Sequence, residues 1–302
     1  MKRFKKIRLV LFILVLFIIT GVYFFSFNSK DEGIVLSGYE KELDLPLIDL
    51  QDAFFEPEGF SRSLNFSEMT EAENNIFSII IPHHLVASDY IAKTIKRASG
   101  REIKIVVIIG PNHENIGTDR MATVKARWEA PKGEVLTDNS LVAKFMADFN
   151  ISSNYEVFKS EHSIGASIPY INYFLPKAKI LPIVFNSYAD MNDARRLSSW
   201  LASNLEEDSL IIYSIDFSHY LTKTKADIMD NMTRGLIEDY DFEKIIRLNN
   251  DNLDSPASLV ASLMFAKEKD FKVTIYNTTN SFDFMLEKPT ETTSHFFIGF
   301  SK

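Results

Sequence analysis

Seven short apolar runs constrain this chain more than any other feature. They are IFSIIIP (76–82), KIVVIIGP (104–111), ATVKARW (122–128), KILPIVF (179–185), SLIIYSIDF (209–217), FKVTIYN (271–277) and HFFIGF (295–300). Continuous β-branched runs of this length are what strands buried on both faces look like, whereas a strand with one wet face alternates. Amphipathic stretches at 88–98, 139–148, 190–204, 225–239 and 255–267 lie between several of them. The pattern predicts an α/β fold over 76–302, a three-layer sandwich with a largely parallel central sheet and no internal repeat. In such sheets ligands bind at the carboxyl ends of the strands, so the residues that follow each run matter most.

The amino-terminal segment follows different rules. Leu9 to Phe27 is nineteen residues without a charge, which as a helix at about 1.5 Å per residue spans roughly 28 Å, the thickness of a bilayer core. It ends in aromatic residues, not in a small-x-small cleavage site, so it reads as an uncleaved transmembrane anchor. Lys2, Arg3, Lys5, Lys6 and Arg8 precede it. By the positive-inside rule this flank, residues 1–8, stays cytoplasmic, and the rest of the chain lies on the non-cytoplasmic side of the cell membrane. Residues 28–75 are polar and acidic without a sustained period and are expected to form a stalk and irregular lead-in.

The full chain of 302 residues carries 33 Lys and Arg against 41 Asp and Glu. Six of the bases and none of the acids fall in the first thirty residues, so the remainder has 27 bases against 41 acids, a net charge of −14. A body that acidic repels phosphate backbones, which argues against nucleic acid as a partner. The absence of cysteine removes disulfides, thiolate zinc sites, iron–sulfur clusters and thiol nucleophiles together. None of the eleven glycines falls in a GxGxxG or precedes a lysine, so neither the dinucleotide fingerprint nor a P-loop is present. Gly165-Ala166-Ser167-Ile168-Pro169 lacks the last glycine of a nucleophile elbow, and His113-Glu114 lacks the second histidine of a zincin helix.

What remains is a set of six histidines: His83, His84, His113, His162, His219 and His295. His83 or His84, His113 and His219 each follow a predicted buried strand, so three strand ends can bring imidazoles into one crevice. Imidazoles with open positions beside them suit first-row transition metals. Asp216, three residues before His219, is a candidate metal ligand, an acceptor that orients an imidazole, or a helix cap. Glu161 is a candidate for orienting His162.

The motifs IIIPHH, VVIIGPNHE, RWEAPKGEVLTD, EHSIGASIPYINYFLPKAKILPIVF, SIDFSHY and DSPASL resemble, in order and spacing, the Memo-like family, also called AmmeMemoRadiSam system protein B. The resemblance implies a fold related to class III non-haem iron extradiol dioxygenases and a site for Fe(II) or Cu. Carried over motif by motif, it implies His83, His113, Asp216 and His219 as metal ligands and His162 as a catalytic acid or base. It places Ser218 where some members have a ligating cysteine. The family's PHAGY is PHHLV here, which makes His84 a rival to His83. The function expected is a membrane-anchored, metal-dependent redox enzyme acting on a small molecule or oxygen. A metal-binding module without catalysis and a metal-dependent hydrolase are the alternatives.

Overall fold

The computed structural model describes residues 44–50 and 55–302. The candidate anchor at Leu9–Phe27 lies outside the described residues, among which no helix is long and apolar enough to cross a membrane. From Pro46 to Lys302 the chain forms one unit.

Two sheets organise that unit. In chain order the strands are β1 (Leu47–Ile48), β2 (Ile76–Ile81), β3 (Ile105–Pro111), β4 (Met121–Thr123), β5 (Arg127–Ala130), β6 (Gly133–Leu136), β7 (Lys179–Phe185), β8 (Ser209–Ser214), β9 (Lys272–Asn280) and β10 (Ser294–Ser301). The large sheet has the order β4-β7-β3-β8-β2-β10-β9, and β1-β5-β6 form a small one. The inner strands β7, β3, β8 and β2 are parallel. At the edges, β4 runs antiparallel to β7, β10 to β2, and β9 to β10.

The sheet is therefore mixed, which corrects the expectation of a largely parallel one. The connection between β9 and β10 holds only the single-turn helix Ser281–Phe284 and no crossover helix of the kind that makes consecutive strands parallel. β10 is nevertheless buried along nearly its whole length, so its sequence looks like that of a central parallel strand. The run ATVKARW is not one strand either. Its first part edges the large sheet as β4 and its end joins the small sheet as β5, with the Lys125 N–H turned to Ser153 Oγ at the break.

Alternate residues of the inner strands feed two apolar clusters, as the period of two requires. Ile79, Ile81, Val106, Ile108, Leu210 and Ile212 join one cluster, covered by helices α1 (Pro57–Ser67), α2 (Ser88–Arg97), α4 (His162–Gly165) and α5 (Ile168–Phe174). Ile80, Val107, Ile109, Ile211 and Tyr213 join the other, covered by α3 (Asn139–Phe149), α6 (Met191–Asn204), α7 (Lys223–Glu238) and α8 (Pro256–Glu268).

Helix α1 lies in the stretch expected to be irregular. Its Pro57 occupies the first turn, where the missing N–H costs nothing, and Glu56 caps it by accepting from the Glu58 and Gly59 N–H groups. It packs beside α2 through Phe66 and Tyr90, with ring centroids 5.4 Å apart, and the Arg62 guanidinium reaches Asp89 at 3.0 Å.

One close approach decides where the functional residues can meet. α4 lies against β3 at Gly110, and Ser163 Oγ donates to the Pro111 carbonyl at 2.9 Å. A Cβ on Gly110 would stand 2.5 Å from Ser163 Oγ and 2.7 Å from Ser163 Cβ. Gly110→Ala must therefore push α4 off the sheet. Overpacking of this kind costs about 1–3 kcal/mol, and a denaturant titration should show that loss; unchanged stability would mean that α4 does not depend on the missing side chain.

Candidate metal centre

The carboxyl ends of β2, β3, β7 and β8 open into a cavity of about 1070 Å³. Each strand end delivers a polar residue to it: His83 after β2, His113 after β3, Asn186 after β7 and Asp216 after β8.

His83 is buried and held from every side. Its backbone N–H donates to Asp216 Oδ1 at 3.0 Å, and its Nδ1 shares a hydrogen bond with Ser214 Oγ at 3.1 Å. Its Nε2 lies 3.1 Å from Asp254 Oδ2 and 3.5 Å from Asp216 Oδ2. Burial alone would lower its pKa, but the Asp216 charge, the hydrogen bond to Asp254 and the Asp254 and Glu161 charges outweigh it and raise it to about 9.

Glu161 does for His113 what Asp216 does for His83. Its Oε2 accepts the His113 backbone N–H at 2.8 Å and its Oε1 accepts Nδ1–H at 2.7 Å. The same Oε1 accepts the Ser163 N–H at 2.9 Å and so caps α4, whose first residue is His162. One carboxylate thus orients one imidazole and starts the helix that displays another. Burial pushes its pKa up, but the His113 hydrogen bond and charge, with the Ser163 and His113 N–H groups, bring it down to about 2.

His162 stacks on His113 with ring centroids 4.0 Å apart, and both lie 5.0 Å from His83 with nearly perpendicular rings. One ligand atom from each of His83, His113 and His162 falls within 4.8 Å of the others, so the three are placed to hold a metal ion. Burial, followed by repulsion from His83 and His113, lowers the His162 pKa to about 4 and leaves a neutral ring at pH 7.

The sequence-predicted residues thus separate. His83 and His113 meet as expected, and His162 joins them. Asp216 stands behind His83, accepting backbone N–H groups from His83 and, at 3.4 Å, His84. Burial raises its pKa, but the surrounding His83, His295, His219 and His84 pull it well below the ordinary carboxylate range. His219 stays outside the trio, its Nε2 3.9 Å from Asp216 Oδ2. Ser218 turns away and donates to Asp230 Oδ1 at 2.6 Å. His84, the rival ligand, pairs instead with buried His295 (Nδ1 to Nε2, 3.1 Å), which in turn meets Thr279 Oγ1 at 3.0 Å.

The residue that sequence reasoning missed is Asp254. It sits just before α8, where Asp254 N–H donates to the Asp216 carbonyl at 3.1 Å and Asp216 N–H donates to Asp254 Oδ2 at 3.2 Å. Oδ2 also lies 3.9 Å from His113 Nε2. Oδ1 is buried and takes no hydrogen bond among the described residues, a costly state for a carboxylate oxygen unless a cation or water completes it. Its segment carries one signal, the DSPASL motif, in which the sequence reading gives the aspartate no role.

Residues 58–284 match the model of the Memo-like protein family. This chain belongs to that family. A MEMO1 family protein of Caldivirga maquilingensis is 32% identical over 164 residues, 51% of this chain and 57% of that one. One from Sulfurisphaera tokodaii is 26% identical over 223 residues, 70% and 76% of the two chains. One from Aquifex aeolicus is 29% identical over 180 residues, 58% and 63%. In the first and third comparisons the match spans less than two thirds of the relative. The family resemblance read from IIIPHH, GPNH, EHS and DFSH is thereby shown, and these are the segments that converge on the cavity.

The protonation of these groups gives the metal-free protein a peaked pH profile. His83 titrates near 6.5 when unfolded and about 9 when folded, so its contribution is complete below 6.5 and is lost as pH rises through 9. His162 and His295, lowered to about 4 and about 3, act oppositely, because the unfolded chain takes up protons first as pH falls below 6.5. The melting temperature of metal-free protein should peak near pH 6.5 and fall on both sides, with His83→Gln flattening the alkaline limb. A flat profile from 6.5 to 9 would contradict the assignment of an imidazolium to His83.

Proposed function

We propose that this protein is a metal-dependent redox enzyme whose Fe(II) or Cu ion is held by His83, His113 and Asp254, with His162 as its proton-transfer group. The observation that carries this reading is the Asp254 carboxylate, one oxygen facing the Nε2 atoms of His83 and His113 at 3.1 and 3.9 Å and the other buried without a partner among the described residues. Ligand atoms at right angles around a metal with bonds of about 2.1 Å stand about 3 Å apart; the His83 contact has this spacing, and the 3.9 Å His113 contact would shorten on binding. Two imidazoles and one carboxylate with open positions are the donor set of non-haem Fe(II) oxygen chemistry. Such an ion supplies redox chemistry toward dioxygen or a hydroxylated substrate.

The protein's own groups do the rest. Glu161 keeps the His113 proton on Nδ1, so the Nε2 lone pair is free for the metal. His83 would have to give up its proton to hold a metal, so affinity would weaken as pH falls. His162, neutral at pH 7, can take a proton from a ligand in the cavity. The arrangement in which His162 itself ligates, supported by the 4.8 Å clustering, is the competing one.

Metal analysis and dioxygen uptake separate the roles. Wild type should take up one ion per chain, and His83→Ala, His113→Ala and Asp254→Ala should abolish stoichiometric binding, while His84→Ala changes it little. Asp216→Asn should cost about 10–100-fold in affinity through loss of His83 orientation. His162→Ala should keep the metal and lose about 10²–10⁴-fold in turnover; metal loss on that substitution would make His162 a ligand. Loaded wild type without turnover would leave metal binding as the protein's role.

The apolar run at Leu9–Phe27 and its basic flank support an anchored protein with its body on the non-cytoplasmic side. The intact chain should sediment with membranes, and protease added from outside should digest the body. Recovery of a soluble chain beginning near Ser29 would show a cleaved signal instead.

A further inference from the structure

The walls of the cavity show which ligands can enter it. Among the described residues they include no Lys or Arg, but three carboxylates, Glu114, Asp216 and Asp254. A divalent ion at the histidines leaves that set one negative charge in excess, and Glu161, bonded to His113 from behind, makes the excess two. A carboxylate or phosphate on a ligand would meet this field with no cationic side chain to pair with.

Glu114 differs from the other acids. Asp216 and Glu161 are buried, Asp254 is half-buried, and all three are bonded to histidines or backbone. Glu114 follows His113 directly, is exposed, lines the cavity, and forms no ion pair or hydrogen bond among the described residues. A second observation also points to a ligand. Asn186 at the end of β7 is only 3% exposed, its Oδ1 accepts the Tyr188 N–H at 3.4 Å, and its Nδ2 is buried with no acceptor among the described residues. An unused buried donor in the wall suits a ligand oxygen. Leu85, Val86, Leu248 and Leu253 provide the apolar surface that a ring can cover.

We propose that the cavity takes a small hydroxylated ring compound carrying an amine and discriminates against carboxylated or phosphorylated ones, with Glu114 reading the charge. This rests on the metal-centre reading, which supplies the partner for the hydroxyls. Glu114 contributes at the mouth, where an exposed ion pair is modest. The general absence of cations and the excess of buried carboxylates supply most of the discrimination.

Three matched probes test it at pH 7: catechol, 4-(2-aminoethyl)catechol and 3,4-dihydroxybenzoate, which are neutral, cationic and anionic. Binding is followed by anaerobic calorimetry on the full chain loaded with Fe(II), after its metal content has been measured. The amine probe should bind about tenfold or more tightly than the carboxylate probe, and the difference should shrink in high salt. Glu114→Gln should lower the ratio of amine to neutral affinity by about 2- to 5-fold, the range of an exposed ion pair. Equal or tighter binding of the carboxylate probe overturns the proposal, as does loaded protein that binds none of the three, and both results leave the metal centre standing. A ratio that Glu114→Gln does not move overturns the role of Glu114. A chain that takes up no metal overturns the metal-centre reading and this inference together.

Discussion

The Asp216 carboxylate is the group on which the site depends. It is 4% exposed, and an ionised carboxylate there is tolerated only because it is surrounded by donors. Its Oδ1 takes the backbone N–H groups that follow β2, its Oδ2 faces the His83 ring, and its own backbone exchanges two hydrogen bonds with Asp254. Asp216 thus ties the end of β8 to the end of β2 and to the loop before α8. A neutral side chain of the same shape would keep the packing and lose the attraction that keeps His83 pointed at Asp254. Glu161 repeats the arrangement at the end of β3, so each of the first two imidazoles has its own buried anion.

Burial, these anions and Asp254 together set the protonation of the histidines. His83, between Asp216 and Asp254, is an imidazolium without metal, whereas His162, pushed by burial and by its charged neighbours, is neutral. A proton on His83 occupies the place in the charge balance that a divalent ion would take. With a divalent ion in place the same balance would still leave the cavity acidic, and a ligand would meet that excess.

How much of this was legible in the sequence depended on distance along the chain. The inner strands were legible because strands buried on both faces must be apolar throughout, and KILPIVF coincides with β7 residue for residue. His83 and His113 were legible because they directly follow such strands. α1 was not, because its buried face is built from Gly59, Phe60, Ser63 and Ser67, and small polar residues leave no periodic apolar signal. The antiparallel edge was hidden because burial on both faces, not strand direction, shapes the composition of β10. Asp254 was hidden because its place is set by a backbone exchange with a residue 38 positions earlier, which no local pattern encodes. That His219 lies outside the trio and His162 inside it has a similar origin. His219 follows a strand, but its loop swings Ser218 toward α7, while the bare Cα of Gly110 lets α4 carry His162 inward.

The central claim is that His83, His113 and Asp254 hold one metal ion, with Asp216 and His219 outside its ligand set. The most direct measurement is a crystal structure of the Fe- or Cu-loaded chain with anomalous data collected across that metal's absorption edge. The account predicts one anomalous peak within about 2.3 Å of His83 Nε2, His113 Nε2 and an Asp254 oxygen. A peak bonded to His219 or Asp216 in place of Asp254, or no peak in the cavity at full metal loading, would contradict it.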